Sequence, residues 1–152
     1  MPRAKMKNIN FELKRPSVPL PLLLLDAQSI KTALENIVDN ALDYTPPGGT
    51  VTVSLVQKEN NVIIVISDSG IGIPQNEISR IFDKFFRGAQ AIRMQTEGDG
   101  MGLYIAKNII KLHGGKIKVE SKQGQGSIFS TILPIPKKFL RLKEYGKFIE
   151  KF

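Results

Sequence analysis

The sequence predicts an α+β domain: a two-layer sandwich with a mixed, mainly antiparallel sheet and about three helices on one face. Three observations carry this. Five short runs read as strands, the clearest a β-branched run at 62–66, two longer stretches repeat apolar residues at helical spacing, and the two kinds of segment mix without the regular alternation of a doubly wound fold. At 152 residues the chain is the size of one domain and can bury a substantial core.

Residues 8–14 form the first expected strand. The helix expected over 26–45 carries an apolar stripe of Ile30, Ala33, Leu34, Ile37, Ala41 and Tyr44, and Pro46-Pro47-Gly48-Gly49 ends it. Strands follow at 50–57 and 62–68, the second an unbroken run from Val62 to Ile66, with Asn60-Asn61 as the polar turn between them. A short helix is expected over 75–80. Residues 87–97 are polar and lack periodicity, and read as a mobile lid. Leu103, Ala106, Ile109, Ile110 and His113 mark the buried face of a helix over 101–113, which Gly114-Gly115 stops. Strands at 116–121 and 127–133 complete the sheet. The domain is expected to span 1–136. Residues 137–152 place Leu142, Tyr145, Ile149 and Phe152 at helical spacing among lysines, as a basic amphipathic tail would.

Composition narrows the function classes. Without cysteine there is no disulfide and no cysteine-ligated zinc, which fits a reducing, cytoplasmic setting. The run 20–25 is far too short to span a bilayer and is broken by Pro21, so no direct membrane insertion is expected. A net charge of +8 raises the question of nucleic acid. No aromatic residues alternate with the basic ones as an RNA-binding sheet requires, and no nucleic-acid partner is expected. A positive field suits capture of a small polyanion.

Three segments carry chemistry. Asp68 ends a buried strand and opens Asp68-Ser69-Gly70-Ile71-Gly72-Ile73-Pro74; its carboxylate can accept a charge-assisted hydrogen bond from an amino group, and Gly70 and Gly72 allow a sharp turn and close approach to a flat base. Gly98-Asp99-Gly100-Met101-Gly102-Leu103 leads into a helix, whose unpaired N-terminal amides attract phosphate. No strand immediately precedes these glycines and no Gly-Lys-Ser/Thr follows, so they make neither a Rossmann fingerprint nor a Walker loop. Asn36 and Asn40 share one helix face, an unfavourable place for asparagine unless its amide oxygen is used; such oxygens suit magnesium.

These motifs, with Ile81-Phe82-Asp83-Lys84-Phe85-Phe86-Arg87-Gly88 between them and Gly124-Gln125-Gly126-Ser127-Ile128-Phe129 after them, resemble the catalytic and ATP-binding domain of bacterial sensor histidine kinases. That domain lies within the superfamily that includes gyrase B, Hsp90 and MutL. The similarity runs from about residue 9 to residue 136, and the phenylalanine motif is what distinguishes the histidine kinases.

The resemblance implies the Bergerat-type sandwich, with ATP and Mg2+ as cofactors. Asp68 would accept the adenine amine and Tyr44 would lie against the ring. Asn40 would hold magnesium, Asn36 would assist it or bind phosphate, and the backbone of Gly100 and Gly102 would cradle the β- and γ-phosphates. Arg87 would neutralise developing charge. Gly70, Gly72, Ile73, Phe82, Met101, Leu103 and Ser127 complete the implied nucleotide contacts, and Phe82 and Phe85 would anchor the lid. Implied partners are the dimerisation and phosphoacceptor domain of the same kinase and a response regulator receiver domain, the isolated chain being a monomer on the cytoplasmic side. His113, the single histidine, matches a structural position rather than the acceptor. Glu35 is a weaker candidate for polarising an acceptor imidazole. Asp43 stands where many relatives carry Lys or Arg, and Asp99 replaces a small hydroxyl residue; their carboxylates are expected either to face solvent or to weaken nucleotide binding. A serine kinase of the anti-sigma type, an ATP hydrolase using Glu35, and a degenerate protein-binding module are the alternatives.

Overall fold

Strict in–out alternation along two central strands decides which face of the sheet is covered. In the computed structural model, which describes residues 1–16, 18–94 and 98–136, Val62, Ile64 and Ile66 of β3 (Asn61–Asp68) are buried, as are Phe129, Thr131 and Leu133 of β5 (Ser127–Pro134). The register sets Ile66 beside Phe129 and Ile64 beside Thr131 on one face. Successive side chains in a strand point to opposite faces, so this set forms one apolar layer.

The described chain runs α1 (Pro2–Met6), β1 (Asn10–Lys14), α2 (Ala27–Tyr44), β2 (Thr50–Lys58), β3, α3 (Ala89–Arg93), α4 (Gly102–Leu112), β4 (Lys116–Ser121) and β5. The sheet order is β1-β2-β3-β5-β4; β1 pairs parallel to β2 and every other pairing is antiparallel. This is the mixed, mainly antiparallel α+β sandwich that the sequence predicts.

Helices α2 and α4 pack on each other and on the apolar layer. Ile30, Ala33, Ile37, Ala41 and Leu42 are the buried positions of α2, and Ala106 and Ile110 those of α4. The α2 N-terminus is capped by Asp26, whose carboxylate accepts from the Gln28 N–H at 3.2 Å and from the Ser29 hydroxyl. His113 joins the two helices: Nε2 accepts from the Asp26 N–H at 3.1 Å while Nδ1 meets the Ile109 carbonyl at 2.8 Å. Both ring nitrogens are therefore used within the fold, as a structural histidine requires.

Four departures have physical causes. Residues 75–80 make no α-helix; three-residue turns run from Pro74 to Phe86, with Glu77 N–H on Pro74 O, Arg80 N–H on Glu77 O and Asp83 N–H on Arg80 O. Strand β1 starts at Asn10 because Asn8 adopts φ 54 and the Ile9 N–H turns back to Ala4 O. Two five-residue helices, α1 and α3, are too short to leave a periodic signal, and α3 occupies part of the expected lid. The expected tail, 137–152, and lid residues 95–97 lie outside the described residues.

Phe129 is the largest fully buried side chain and meets the layer from the second strand. Phe129→Ala is expected to lower unfolding free energy by about 3–5 kcal/mol, measured by denaturant titration. A loss below ~1 kcal/mol would mean that the layer closes over the deletion.

Candidate functional site

A cleft opens at the ends of the central strands, where β3 stops and α4 begins. Its inner end is lined by Tyr44, Asp68, Gly72, Ile73, Leu103 and Ser127, with Ile71, Ile81, Phe86 and Ala91 adding apolar surface. Its outer end is lined by Asn36, Gly100, Met101 and Gly102 together with Arg3, Asp39 and Asp43. Asn40, Tyr44, Phe86, Arg87 and Leu103 line both ends, so the two are continuous. Residues from six separate stretches of sequence are thereby brought together.

Asp68 is held at the inner end by its own turn. Its Oδ1 accepts from the Gly70 N–H at 2.8 Å and the Ser127 N–H at 3.2 Å, and no described residue donates to Oδ2. Burial pushes the carboxyl above the usual aspartate range, and the two N–H groups, which favour the charged form, offset only part of this. The result is a half-buried acceptor facing an apolar slot.

The glycines beside Asp68 act differently from the sequence expectation. A Cβ at Gly70 would stand 2.3 Å from the Tyr44 carbonyl oxygen, and one at Gly72, where φ is +65, would stand 2.0 Å from the Lys122 carbonyl oxygen. The space they leave is filled by protein backbone rather than reserved for a flat ligand. Gly70 brings the segment against the end of α2, where the Ile71 N–H bonds to Tyr44 O at 3.0 Å. Gly72 lays it on the β4–β5 turn, where the Ile71 carbonyl accepts from the Gly124 N–H at 2.7 Å. Gly70 itself is not among the cleft-lining residues.

The phenylalanine motif is also rearranged. Phe85 is 70% exposed at φ 61, so it does not anchor the lid to the core; this left-handed turn sends its side chain outward. Phe86 takes the inward place, packs on the core, lines the cleft and carries Arg80 over its ring at 4.6 Å. Phe82 packs on the core beneath Lys107 and lies outside the cleft lining.

At the outer end, Asn36 Oδ1 lies 3.4 Å from where a Gly102 Cβ would stand, so this carboxamide sits at the mouth of α4. Asp99 Oδ1 accepts from the Met101 N–H at 2.9 Å and shapes the turn into the helix. Asp43 does not face solvent: Arg3 reaches its two oxygens at 2.8 and 3.0 Å, Lys7 pairs with it as well, and Arg3 also pairs with Asp39. Burial works against the Arg3 charge, but the two carboxylates outweigh it and raise the pKa. Glu35 lies elsewhere, exposed and 3.8 Å from Lys31.

Sequence reasoning missed Arg3, Phe86 and Ser121. The Ser121 hydroxyl accepts from the Ile73 N–H at 2.8 Å and lies 2.8 Å from Gly126 O and 3.0 Å from the Ser127 hydroxyl, locking the slot floor. Only the cross-strand pairing of Ser121 with Ser127 reveals this, and that pairing is a tertiary fact.

Gly72→Ala should therefore act through the fold before it acts on any ligand. The clash is with backbone and the φ is left-handed, so unfolding free energy should fall by at least about 1 kcal/mol. Thermal denaturation of the empty domain checks this, and an unchanged midpoint would show that the β4–β5 turn yields.

Comparison with known proteins agrees with this geometry. Residues 25–137 match the family described as histidine kinase-, DNA gyrase B-, and HSP90-like ATPase. The sensor-like histidine kinase SenX3 of Mycobacterium tuberculosis is 41% identical over 128 residues, covering 84% of this chain and 31% of SenX3. Among solved structures, the mycobacterial sensor histidine kinase MprB superposes with a TM-score of 0.73 at 31% identity, covering 86% of this chain and 85% of that one. Full-length ShkA, solved in complex with AMPPNP, superposes with a TM-score of 0.74 at 30% identity over 88% of this chain and 27% of its own. The chain spans about a third of the length of curated relatives such as SenX3, of which it covers 31%. It belongs to the histidine kinase-, DNA gyrase B- and HSP90-like ATPase family, and its relatives within that family are sensor histidine kinases.

Proposed function

We propose that this chain binds Mg-ATP in the cleft and delivers the γ-phosphoryl group to a histidine on a separate dimerisation domain, for onward transfer to a response regulator receiver domain, on the cytoplasmic side. The observation that carries the reading is Asp68 Oδ2, an acceptor without a described donor, facing an apolar slot one cleft-length from two asparagines and a helix N-terminus. An adenine amine supplies the missing donor. Tyr44 and Ile73 offer flat and aliphatic surface to the ring, and the Gly102 end of α4 offers backbone amides to phosphate.

The donor set at the outer end fits magnesium. Asn40 would hold the ion with Asn36 beside it; two neutral amide oxygens suit a hard cation whose remaining ligands are phosphates and waters. The ion's contribution is to neutralise phosphate charge. This chain's residues do the rest: they fix adenine, align the triphosphate along the cleft, and place Arg87 where both ends meet. In the transfer, an imidazole nitrogen bonds to the γ-phosphorus as the bond to the β,γ-bridging oxygen breaks, and ADP leaves with that electron pair. Little covalent chemistry falls to the protein, so positioning and electrostatics carry most of the acceleration. The exposed position of Glu35, outside the cleft lining, supports phosphoryl transfer over a hydrolase that uses it as base. The AMPPNP bound in the ShkA structure supports the choice of adenine nucleotide.

Isothermal titration with ADP and a non-hydrolysable ATP analogue, with and without magnesium, tests the reading. Binding should depend on magnesium for the triphosphate, and Asp68→Ala should weaken it by about 1.5–3 kcal/mol, tens-fold or more. A folded chain that binds neither nucleotide would instead be a protein-interaction module.

A pH series separates Asp68 from the other contacts. The adenine amine needs the ionised acceptor, so affinity should fall as pH is lowered through the raised Asp68 pKa, where an ordinary aspartate is still charged. Stability of the empty domain should move the other way. In that window the native state binds the proton more tightly than the unfolded chain, so the Asp68 contribution is full below the unfolded pKa and is lost as pH rises through the folded one. Asp68→Asn keeps the acceptor for Gly70 and Ser127 and should remove both pH steps; persistence of either step in that variant would assign it to another group.

A further inference from the structure

We propose that Arg3, held in place by Asp39 and Asp43, is the cation that meets the β- and γ-phosphates of the nucleotide at the outer end of the cleft. This rests on the nucleotide reading above and names a residue for it.

Two carboxylates stand one helical turn apart on α2, beside Asn36 and Asn40, and both line the outer end of the cleft. Left alone, they would repel a triphosphate across a few ångströms. Arg3 offsets them from another element: its NH1 pairs with Asp39, and its NH2 donates to Asp43 Oδ1 at 2.8 Å and Oδ2 at 3.0 Å. Lys7 pairs with Asp43 a second time, so the carboxylate does not depend on Arg3 alone for neutralisation. Two cations then balance two anions, and the guanidinium is the member that lines the same cleft as Asn36 and Gly102.

Placement and valence both favour a ligand role. The neighbouring Ala4 is buried in the core and its carbonyl accepts from the Ile9 N–H at 2.9 Å, so α1 is fixed and Arg3 projects from a rigid base. Its side chain is still 41% exposed. A guanidinium carries five N–H donors, and the contacts to described residues engage NH1 and NH2, leaving Nε–H for a phosphate oxygen. The fork suits phosphate, and carboxylates behind it fix its plane before the ligand arrives. A plain clamp between α1 and α2 would account for the ion pairs but would give the ligands no reason to feel them.

The test compares adenosine, ADP and a magnesium-bound non-hydrolysable ATP analogue by titration calorimetry on the intact chain and on Arg3→Gln. Arg3→Gln should weaken ADP and the analogue by about tenfold or more while adenosine changes by less than about twofold. Equal weakening of all three ligands, or unchanged ADP affinity in a folded variant, would overturn the proposal. The double variant Arg3→Gln with Asp43→Lys puts the cation back from α2. It should recover most of the lost ADP affinity, whereas a double variant as weak as Arg3→Gln would point to a structural clamp. Thermal midpoints measured alongside separate loss of the phosphate contact from loss of α1. Failure of the intact, folded chain to bind ADP or the analogue would sink the nucleotide reading itself, which is a different result from normal ADP binding with no effect of Arg3.

Discussion

The cleft depends on one carboxylate oxygen at the end of a buried strand. Asp68 Oδ1 takes an N–H from Gly70 and another from Ser127, and so ties the end of β3, the turn that follows it and the start of β5 into one unit. Around that tie the backbone closes tightly enough that only glycine fits at Gly70 and Gly72. The charge is expensive where it sits, since burial disfavours it. Two N–H groups lower that cost without removing it, and a third donor from a ligand would lower it further. On the proposed reading, fold and recognition would draw on the same group, one oxygen for each.

The outer end solves a different electrostatic problem. Helix α2 presents two asparagines and two aspartates on adjoining rows, neutral oxygens for a cation and charged ones that an anion would avoid. The aspartates are answered from the N-terminal segment, 36 to 40 positions away in sequence, and not from their own helix. Such part-buried pairs contribute little net stability when both partners could be replaced together, yet are costly to break singly. Their value here is positional, because they orient a guanidinium toward the cleft.

Local chemistry in the sequence was enough to place Asn36, Asn40, Asp68 and the Gly100–Gly102 turn, because a strand end, a helix face and a helix entrance are each defined within a few residues. Helices on one face were expected from the irregular mixing of strand and helix segments, whereas the strand order β1-β2-β3-β5-β4 was not read from the sequence. What stayed hidden depends on distant partners. Arg3 sits in a helix too short to show a period, and its partners are on α2. Ser121 matters only because it pairs across strands with Ser127. The adjacent Phe85 and Phe86 could not be sorted in advance, since a single left-handed residue decides which of them points inward. Gly72 was singled out for approach to a base, whereas the close neighbour in the structure is the Lys122 carbonyl.

Phe85 shows how the lid is tied at both ends. A bulky aromatic residue at positive φ is strained by roughly 1–3 kcal/mol and persists only where its surroundings over-determine it. Those surroundings include Gly100, where a Cβ would stand 2.8 Å from the Phe85 carbonyl carbon, so the far end of the lid is packed against the start of it. Near its beginning, the Glu77 carboxylate accepts from the Ala89 N–H at 3.3 Å. The wall is thus tied at Ala89 on one side and at Gly100 on the other. The floor built by Asp68, Ser121 and Ser127 is held separately, by its own hydrogen bonds. On the nucleotide reading proposed above, that floor would supply the adenine acceptor and the outer end of the cleft would take the triphosphate.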